Sequence, residues 1–312
     1  MIDSLRNYII SIENSNFSNK DQECYFRGST QLEFTGEELY DAVITCGMPS
    51  FYLTENSTKK RSIEIMYKLF LLNTILDADS CGNLMFSNKI NYLDSTEKAY
   101  LMYYVGMFIT KLISQKIFGF DYLVHLGIVK QYKSMVFDTN KQPDLIAFNR
   151  LNNNYSVFEA KGRTRIDNRM FIKAKSQVSA IKWISGSRPL NGIVSVVYRH
   201  DNKVKCHLKD PDIIGGKEFD ISKLELIWLY YEPIFSALKE IQNDECNFNN
   251  NYISKIINFD KNKQVKIEMN LDLYEFFDKF EENKEKKDSE KNLICILENK
   301  KAFNFEIVQL NN

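Results

Sequence analysis

The chain has 312 residues, and 41 Lys and Arg balance 41 Asp and Glu, so the formal net charge is zero. Hydrophobic residues make up 44% of the chain and aromatic residues 13%, which excludes wholesale disorder and allows a sizeable core. Twelve Gly and five Pro exclude collagen-like and Pro-rich architectures, and the longest apolar run is shorter than the roughly 20 residues of a membrane helix. No basic segment followed by an apolar one opens the chain, so we expect a soluble cytoplasmic protein.

The first 93 residues contain predicted elements but no recognisable chemistry. Leu5–Ile12 is amphipathic, and Glu23–Arg27 and Gln31–Phe34 resemble strands. Lys60–Asp77 has the spacing of a helix. Its predicted buried face consists of Ile63, Met66, Phe70, Leu71 and Ile75. We expect residues 1–93 to form an accessory or partner-binding region.

A denser pattern of elements spans residues 94–210. Asp94 and Glu97 predict a capped helix start, and the helix runs to Phe118 before Gly119 ends it. Apolar periodicity and turn residues then predict three strands, a helix and a fourth strand. Their ranges are Tyr122–Val129, Asp144–Phe148, Tyr155–Ala160, Asn168–Ile184 and Gly192–Tyr198.

Residues 211–312 form a predicted C-terminal helical and hairpin region, with a further strand at Val204–Leu208 just before it. The predicted elements are a helix at Ser222–Gln242, a hairpin of Ile253–Asn258 with Gln264–Met269, an amphipathic helix at Leu271–Glu282 and a hairpin of Asn292–Leu297 with Ala302–Val308. The charge run Lys284–Glu290 is interpreted as a solvated helix end or loop.

Two short motifs, Pro143-Asp144 and Glu159-Ala160-Lys161, lie on adjacent strands of a predicted hairpin. Strand alternation places Glu159 and Lys161 on the same face. Charged groups at the end of an apolar hairpin are costly unless they pair with each other or bind a ligand. A structural ion pair and a metal site therefore both remain open.

The chemistry that uses two carboxylates and a lysine in this way is metal-assisted phosphodiester hydrolysis. Mg²⁺ takes one or two protein carboxylates and keeps sites for water and substrate phosphate. A lysine nearby can orient the attacking water or offset phosphate charge.

With their helix–β–β–β–helix–β setting, these motifs resemble the PD-(D/E)xK nuclease superfamily, over roughly residues 94–210. The resemblance implies a mixed α/β restriction-endonuclease-like core, αβββαβ, with N- and C-terminal additions. It implies that Asp144, Glu159 and the Ala160 carbonyl bind Mg²⁺ or Mn²⁺, that Lys161 is the catalytic lysine, and that Gln177 assists from the following helix. Some members add an acid from the first helix, for which Glu97 is the available candidate.

The implied activity is that of a metal-dependent endonuclease acting on nucleic acid, with DNA as the expected substrate. The habits of the superfamily suggest a bacterial restriction or anti-phage defence effector. Two alternatives remain: a non-catalytic nucleic-acid-binding or assembly subunit that keeps the fold, and a DNA-repair or junction-resolving nuclease.

The charge distribution agrees with a polyanionic substrate. Residues 159–210 contain twelve Lys and Arg against four Asp and Glu, whereas residues 268–290 contain nine acids against four lysines. The residues expected to contact nucleic acid are Arg163, Arg165, Lys173 and Lys175. Because the whole chain is neutral, we expect a partner protein or a homo-oligomer to help deliver the substrate, and no membrane partner. His125 is interpreted as a buried histidine that supports the site.

Overall fold

The computed structural model of the protein describes residues 2–18, 25–26, 31–46, 61–133, 142–210, 216–240, 247–249, 251–260, 263–283, 289–299 and 302–309. Within these ranges the strands are β1 (Asn7–Ser15), β2 (Gln31–Thr35), β3 (Leu76–Ala78), β4 (Leu84–Phe86), β5 (Tyr122–His125), β6 (Leu145–Asn149), β7 (Asn154–Arg163), β8 (Ile181–Ile184), β9 (Gly192–His200), β10 (Lys203–Lys209), β11 (Lys217–Phe219), β12 (Asn247–Asn249), β13 (Tyr252–Asp260), β14 (Lys263–Asn270) and β15 (Phe303–Gln309). The helices are α1 (Gly36–Thr45), α2 (Arg61–Ile75), α3 (Ser95–Lys116), α4 (Leu126–Tyr132), α5 (Asn168–Val178), α6 (Lys223–Lys239), α7 (Leu271–Asn283) and α8 (Ser289–Asn299), with a short 3₁₀ helix at Asn88–Tyr92.

The architecture is mixed α/β, as predicted. The main sheet has the strand order β2-β1-β10-β9-β7-β6-β5, with β4 paired to β10 and β3 paired to β4. The pairs β1–β10 and β7–β9 are parallel, and the others are antiparallel. Strands β8 and β11 form a small parallel sheet, and β12 to β15 form an antiparallel one.

Helix α3 is buried along most of its length, which explains its dense apolar sequence. Its predicted start is confirmed, because the Asp94 side chain accepts hydrogen bonds from the first turn and Glu97 completes the capping box. The helix packs against β7 and β9 on one side and α1 on another. Gly106 of α3 and Gly162 of β7 lie against each other, since a Cβ on Gly106 would meet the Gly162 nitrogen at 2.7 Å. A Cβ on Gly162 would collide with the Met102 carbonyl oxygen. This close approach fixes the end of β7 against the helix.

Replacing Gly162 with Ala is expected to destabilise the protein by about 3 kcal/mol, because the new methyl group meets backbone atoms that cannot move aside. Urea denaturation measures this free energy of unfolding. Gly186→Ala is the control: its added methyl group has no atom of the described residues within 4 Å to collide with, and only its positive φ of 74° adds a cost of about 1–2 kcal/mol. Equal losses in the two variants would contradict the close packing of α3 on β7.

Two predicted elements around the central hairpin are shorter than expected. The predicted strand Tyr122–Val129 is wrong beyond His125, because the His125 side chain accepts a hydrogen bond from the Gly127 N–H at 2.9 Å and starts helix α4. The predicted helix Asn168–Ile184 is wrong beyond Val178, where the chain turns and Ile181–Ile184 forms a strand that pairs with β11.

Other predictions outside the hairpin have mixed outcomes. Helix α2 is confirmed, but its predicted face is partly wrong: Ile63 and Phe70 are 67% and 59% exposed. The predicted hairpin strand Asn292–Leu297 is wrong, since it lies within helix α8. The hairpin of β13 and β14, helix α6 and helix α7 are confirmed. Most of Glu23–Arg27 and of the charge run Lys284–Glu290 lies outside the described residues.

The main sheet continues across the predicted boundary at residue 93, and the hydrophobic core continues across both predicted boundaries, at residues 93 and 210. Strand β1 pairs with β10, so the N-terminal residues extend the same sheet as the predicted nuclease region. The core cluster includes residues from all three predicted regions. Among the described helices, none has both the length and the apolar content that crossing a membrane requires.

Candidate active site

The carboxylates of Asp144 and Glu159 meet where β6 and β7 begin to separate. The antiparallel register places Leu145 opposite Phe158, so Asp144 lies opposite Glu159, one residue further along. The Asp144 N–H donates to Glu159 Oε2 at 3.1 Å, and the Ala160 N–H donates to Asp144 Oδ2 at 3.1 Å. The hairpin register therefore brings the two acid side chains together at this end of the hairpin.

Lys161 lies beside both carboxylates. Its ammonium group contacts Glu159 Oε1 and lies 3.8 Å from Asp144 Oδ2. The Glu159 side chain is fully buried, and the Lys161 side chain is only 16% exposed. The prediction that Glu159 and Lys161 lie on the same face of the sheet is therefore confirmed.

Burial favours the neutral forms of both acids, and repulsion by Asp144 adds to this effect at Glu159. Burial raises the pKa of Glu159 to about 8, and the Asp144 charge adds to this rise, while Lys161 opposes it. Burial also raises the pKa of Asp144, against the opposing effect of Lys161. A neighbouring positive charge stabilises the ionised forms of the two acids, as Lys161 does here.

The donor set fits a hard divalent cation. Glu159 Oε1 is buried, and its partner among the described residues is the Lys161 ammonium, which contacts it. The N–H and C=O of a strand residue point toward the same side, so the Ala160 carbonyl also faces the edge where its N–H meets Asp144. No group of three or more His, Cys, Asp and Glu that could hold a metal occurs among the described residues. Two carboxylates and one carbonyl match Mg²⁺, which keeps several waters.

Two further residues were candidates for the site: Gln177 contacts the segment before Asp144, whereas Glu97 lies at the start of helix α3. Gln177 of α5 donates from Nε2 to the Gln142 carbonyl at 3.2 Å, and its Oε1 atom is buried without a hydrogen-bond partner among the described residues. It therefore contacts the segment that leads into Asp144. Glu97 is exposed, and its carboxylate accepts a hydrogen bond from the Asp94 N–H at 3.0 Å. Glu97 thus caps helix α3 and is not brought to the acid pair.

The four predicted nucleic-acid contacts, Arg163, Arg165, Lys173 and Lys175, are all exposed. Arg163 is close enough for its charge to lower the pKa of Asp144, although burial and Lys161 have larger effects. Its Nη1 donates to the Gly162 carbonyl at 2.9 Å. The other three lie on helix α5 or on the loop that precedes it.

Further basic residues share the sheet face of the acid pair. Across β9, the register aligns Glu159 with Lys209, Lys161 with His207, and Arg163 with Lys205. Helix α5 lies on this face, because its Phe171 ring is 5.1 Å from the His207 ring and 5.2 Å from the Lys209 ammonium. Part of the basic stretch predicted from residues 159–210 therefore lies on the same face of the sheet as the acids.

Several residues near the acids have no motif in the sequence. His125 donates from Nε2 to the Tyr103 hydroxyl at 3.2 Å, because its Nδ1 accepts from the Gly127 N–H, and burial lowers the pKa of His125 to about 4. Lys68 is fully buried, donates to the Cys46 carbonyl at 3.1 Å and pairs with Glu64 at 2.8 Å. The sequence contains a signal for the ion pair of Glu64 and Lys68: the two charged residues are four positions apart within the apolar stripe of α2, which is the spacing of neighbours on a helix.

Comparisons with known proteins identify no relative of this chain: no family model, no curated protein and no solved structure matches it.

Proposed function

We propose that the protein is a metal-dependent endonuclease of the PD-(D/E)xK type, with DNA as its expected substrate. The observation that carries this proposal is the register-paired Asp144 and Glu159 with Lys161 in contact with both. The element order α3, β5, β6, β7, α5, β9, interrupted by α4 and β8, supports the restriction-endonuclease-like core. Parallel pairing of β7 with β9 after the intervening helix is further support.

The chain's own residues have distinct tasks in this proposal. Asp144, Glu159 and the Ala160 carbonyl bind Mg²⁺ or Mn²⁺ at the open end of the hairpin. When bound, such an ion neutralises developing charge and supplies an activated water. Lys161 moves from the Glu159 carboxylate toward the scissile phosphate, where it stabilises the additional negative charge of the transition state. Gln177 holds the segment before Asp144 in place.

The exposed basic residues on and before α5 bind the phosphate backbone. Replacing Arg165 and Lys173 together with Ala is expected to weaken substrate binding and to lower the slope of log K against log salt by about two, because two phosphate contacts are lost. Fluorescence anisotropy with a labelled oligonucleotide at several salt concentrations measures both changes. The matched control is the double variant Lys89→Ala and Lys291→Ala, which removes two exposed lysines from other elements. An equal change in both double variants would show that the substrate binds elsewhere.

A structural ion pair is the main competing interpretation, and the contact between Lys161 and both acids favours it as well. In that case the protein is a non-catalytic nucleic-acid-binding or assembly subunit. Metal-dependent cleavage that Asp144→Asn abolishes distinguishes the nuclease from this subunit. A role in bacterial restriction or anti-phage defence, with a partner protein or a second copy, is part of the nuclease proposal and rests on the resemblance.

A further inference from the structure

An aromatic ledge, formed by the rings of Tyr67, Tyr100 and Tyr104, lies where helices α2 and α3 meet. Tyr104 is buried, whereas Tyr67 and Tyr100 are 40% and 42% exposed. Both exposed rings pack edge-to-face on Tyr104, at centroid distances of 6.4 and 5.0 Å. The hydroxyls of Tyr100 and Tyr104 are 3.1 Å apart. The ledge therefore presents two positioned aromatic rings to the solvent.

Helix α2, which carries Tyr67, is held to its neighbours by two buried charged side chains. Arg61 pairs with Glu232 of helix α6 at 2.6 Å, and Lys68 donates to the carbonyl of Cys46, the residue after helix α1, at 3.1 Å. A ring held by such a scaffold loses little conformational freedom when a ligand stacks on it. The ledge is thus preorganised for binding.

The ledge adjoins the strand end that carries Asp144. The Tyr103 ring lies 5.6 Å from the Tyr104 ring, and its hydroxyl is 3.2 Å from His125 Nε2. The next residue, Leu126, donates its N–H to the Asp144 carbonyl at 2.8 Å. Two residues, Tyr103 and His125, therefore link the ledge to the segment with the acid pair.

We propose that the ledge stacks an unpaired base of the nucleic acid whose phosphodiester lies at Asp144 and Glu159. Aromatic side chains stack on any base because every base has a π face, whereas bases within a duplex are already stacked on each other. The continuity of the ledge with the acid pair favours this occupant over a protein partner. The inference rests on the proposed function and adds a substrate class: single-stranded or locally unpaired nucleic acid.

Binding without metal tests the ledge independently of cleavage. The probe is a single-stranded oligonucleotide with 2-aminopurine, titrated in EDTA and compared with the corresponding duplex. Tyr100→Ala is expected to weaken single-strand binding on the order of ten-fold and to leave duplex binding unchanged. Tyr100→Phe keeps the ring and is expected to keep the affinity. Tyr67→Ala gives a second measurement should Tyr100→Ala fail to fold, as monitored by circular dichroism.

The matched control is Ile63→Ala, which removes an exposed apolar side chain one turn before Tyr67. An equal loss in Ile63→Ala would indicate general apolar docking and overturn base stacking, as would unchanged single-strand binding in both tyrosine variants. Cleavage by the wild-type protein with unchanged binding in Tyr100→Ala would reject the ledge and keep the nuclease. Tyr100-dependent binding without any cleavage would reject the nuclease and keep the ledge as a base-binding surface.

Discussion

Replacing Asp144 with Asn is expected to abolish metal-dependent cleavage while the free energy of unfolding stays the same or rises slightly. Cleavage falls by orders of magnitude because one of the two carboxylates that bind the metal is lost. Stability is retained because Asn keeps an oxygen that accepts the Ala160 N–H and removes a charge that repels Glu159. Cleavage rates and urea denaturation of the same preparation measure the two effects.

The structural ion pair predicts the opposite change in stability. If Asp144 only balances Lys161, then Asp144→Ala leaves a partly buried ammonium with less compensation and lowers stability by about 3–5 kcal/mol. Lys161→Ala is the companion variant: the nuclease proposal expects cleavage to be lost while metal binding, measured by calorimetry, remains. A large loss of stability in Asp144→Asn, with no effect on any cleavage, would contradict the proposal.

The second large effect is a pH dependence of stability that comes from Glu159. Its pKa is about 8 in the folded protein, against an ordinary value of 4.5, so the folded state binds the additional proton between these values. The free energy of unfolding of the metal-free protein should therefore fall as pH rises from about 5 to 8, by up to about 1.4 kcal/mol per pH unit from this residue. Denaturation in EDTA at several pH values measures the decline.

Glu159→Gln isolates this contribution because glutamine does not titrate. Burial lowers the pKa of His125 to about 4, which makes stability rise with pH up to about 6.5 and partly hides the effect of Glu159. The difference between wild type and Glu159→Gln cancels His125 and the other groups that the substitution leaves unchanged. A difference that does not vary with pH would show that Glu159 is already ionised in the folded protein.

Local patterns predicted the central elements because those elements are defined by neighbouring residues. Helix α3 could be predicted from its capping box, and the hairpin of β6 and β7 from apolar periodicity and turn residues. Predictions failed where a single side-chain contact ended an element, as at His125, which caps α4 with its own imidazole. They also failed where a strand pairs with a distant segment, as β8 does with β11.

The acid pair could be predicted because one hairpin register positions both acids, and Lys161 follows Glu159 by a single period of the strand. The approach of Lys68 and Cys46 to the site could not be predicted, because it depends on the packing of helices that are far apart in the chain. The face of α2 was partly misjudged for a related reason: the buried stripe includes the ion pair of Glu64 and Lys68, and apolar residues such as Ile63 are exposed. Hydrophobic periodicity alone does not anticipate a buried charge pair.

The most direct measurement is a cleavage assay with Mg²⁺ or Mn²⁺ on plasmid, linear duplex DNA, single-stranded DNA and RNA, with Asp144→Ala purified alongside. The nuclease proposal predicts cleavage of at least one substrate, its loss in EDTA and its absence in Asp144→Ala. Because the chain is neutral overall, the assay is repeated with any protein that copurifies with it. Absence of metal-dependent cleavage on every substrate, or equal cleavage by Asp144→Ala, would contradict the proposal.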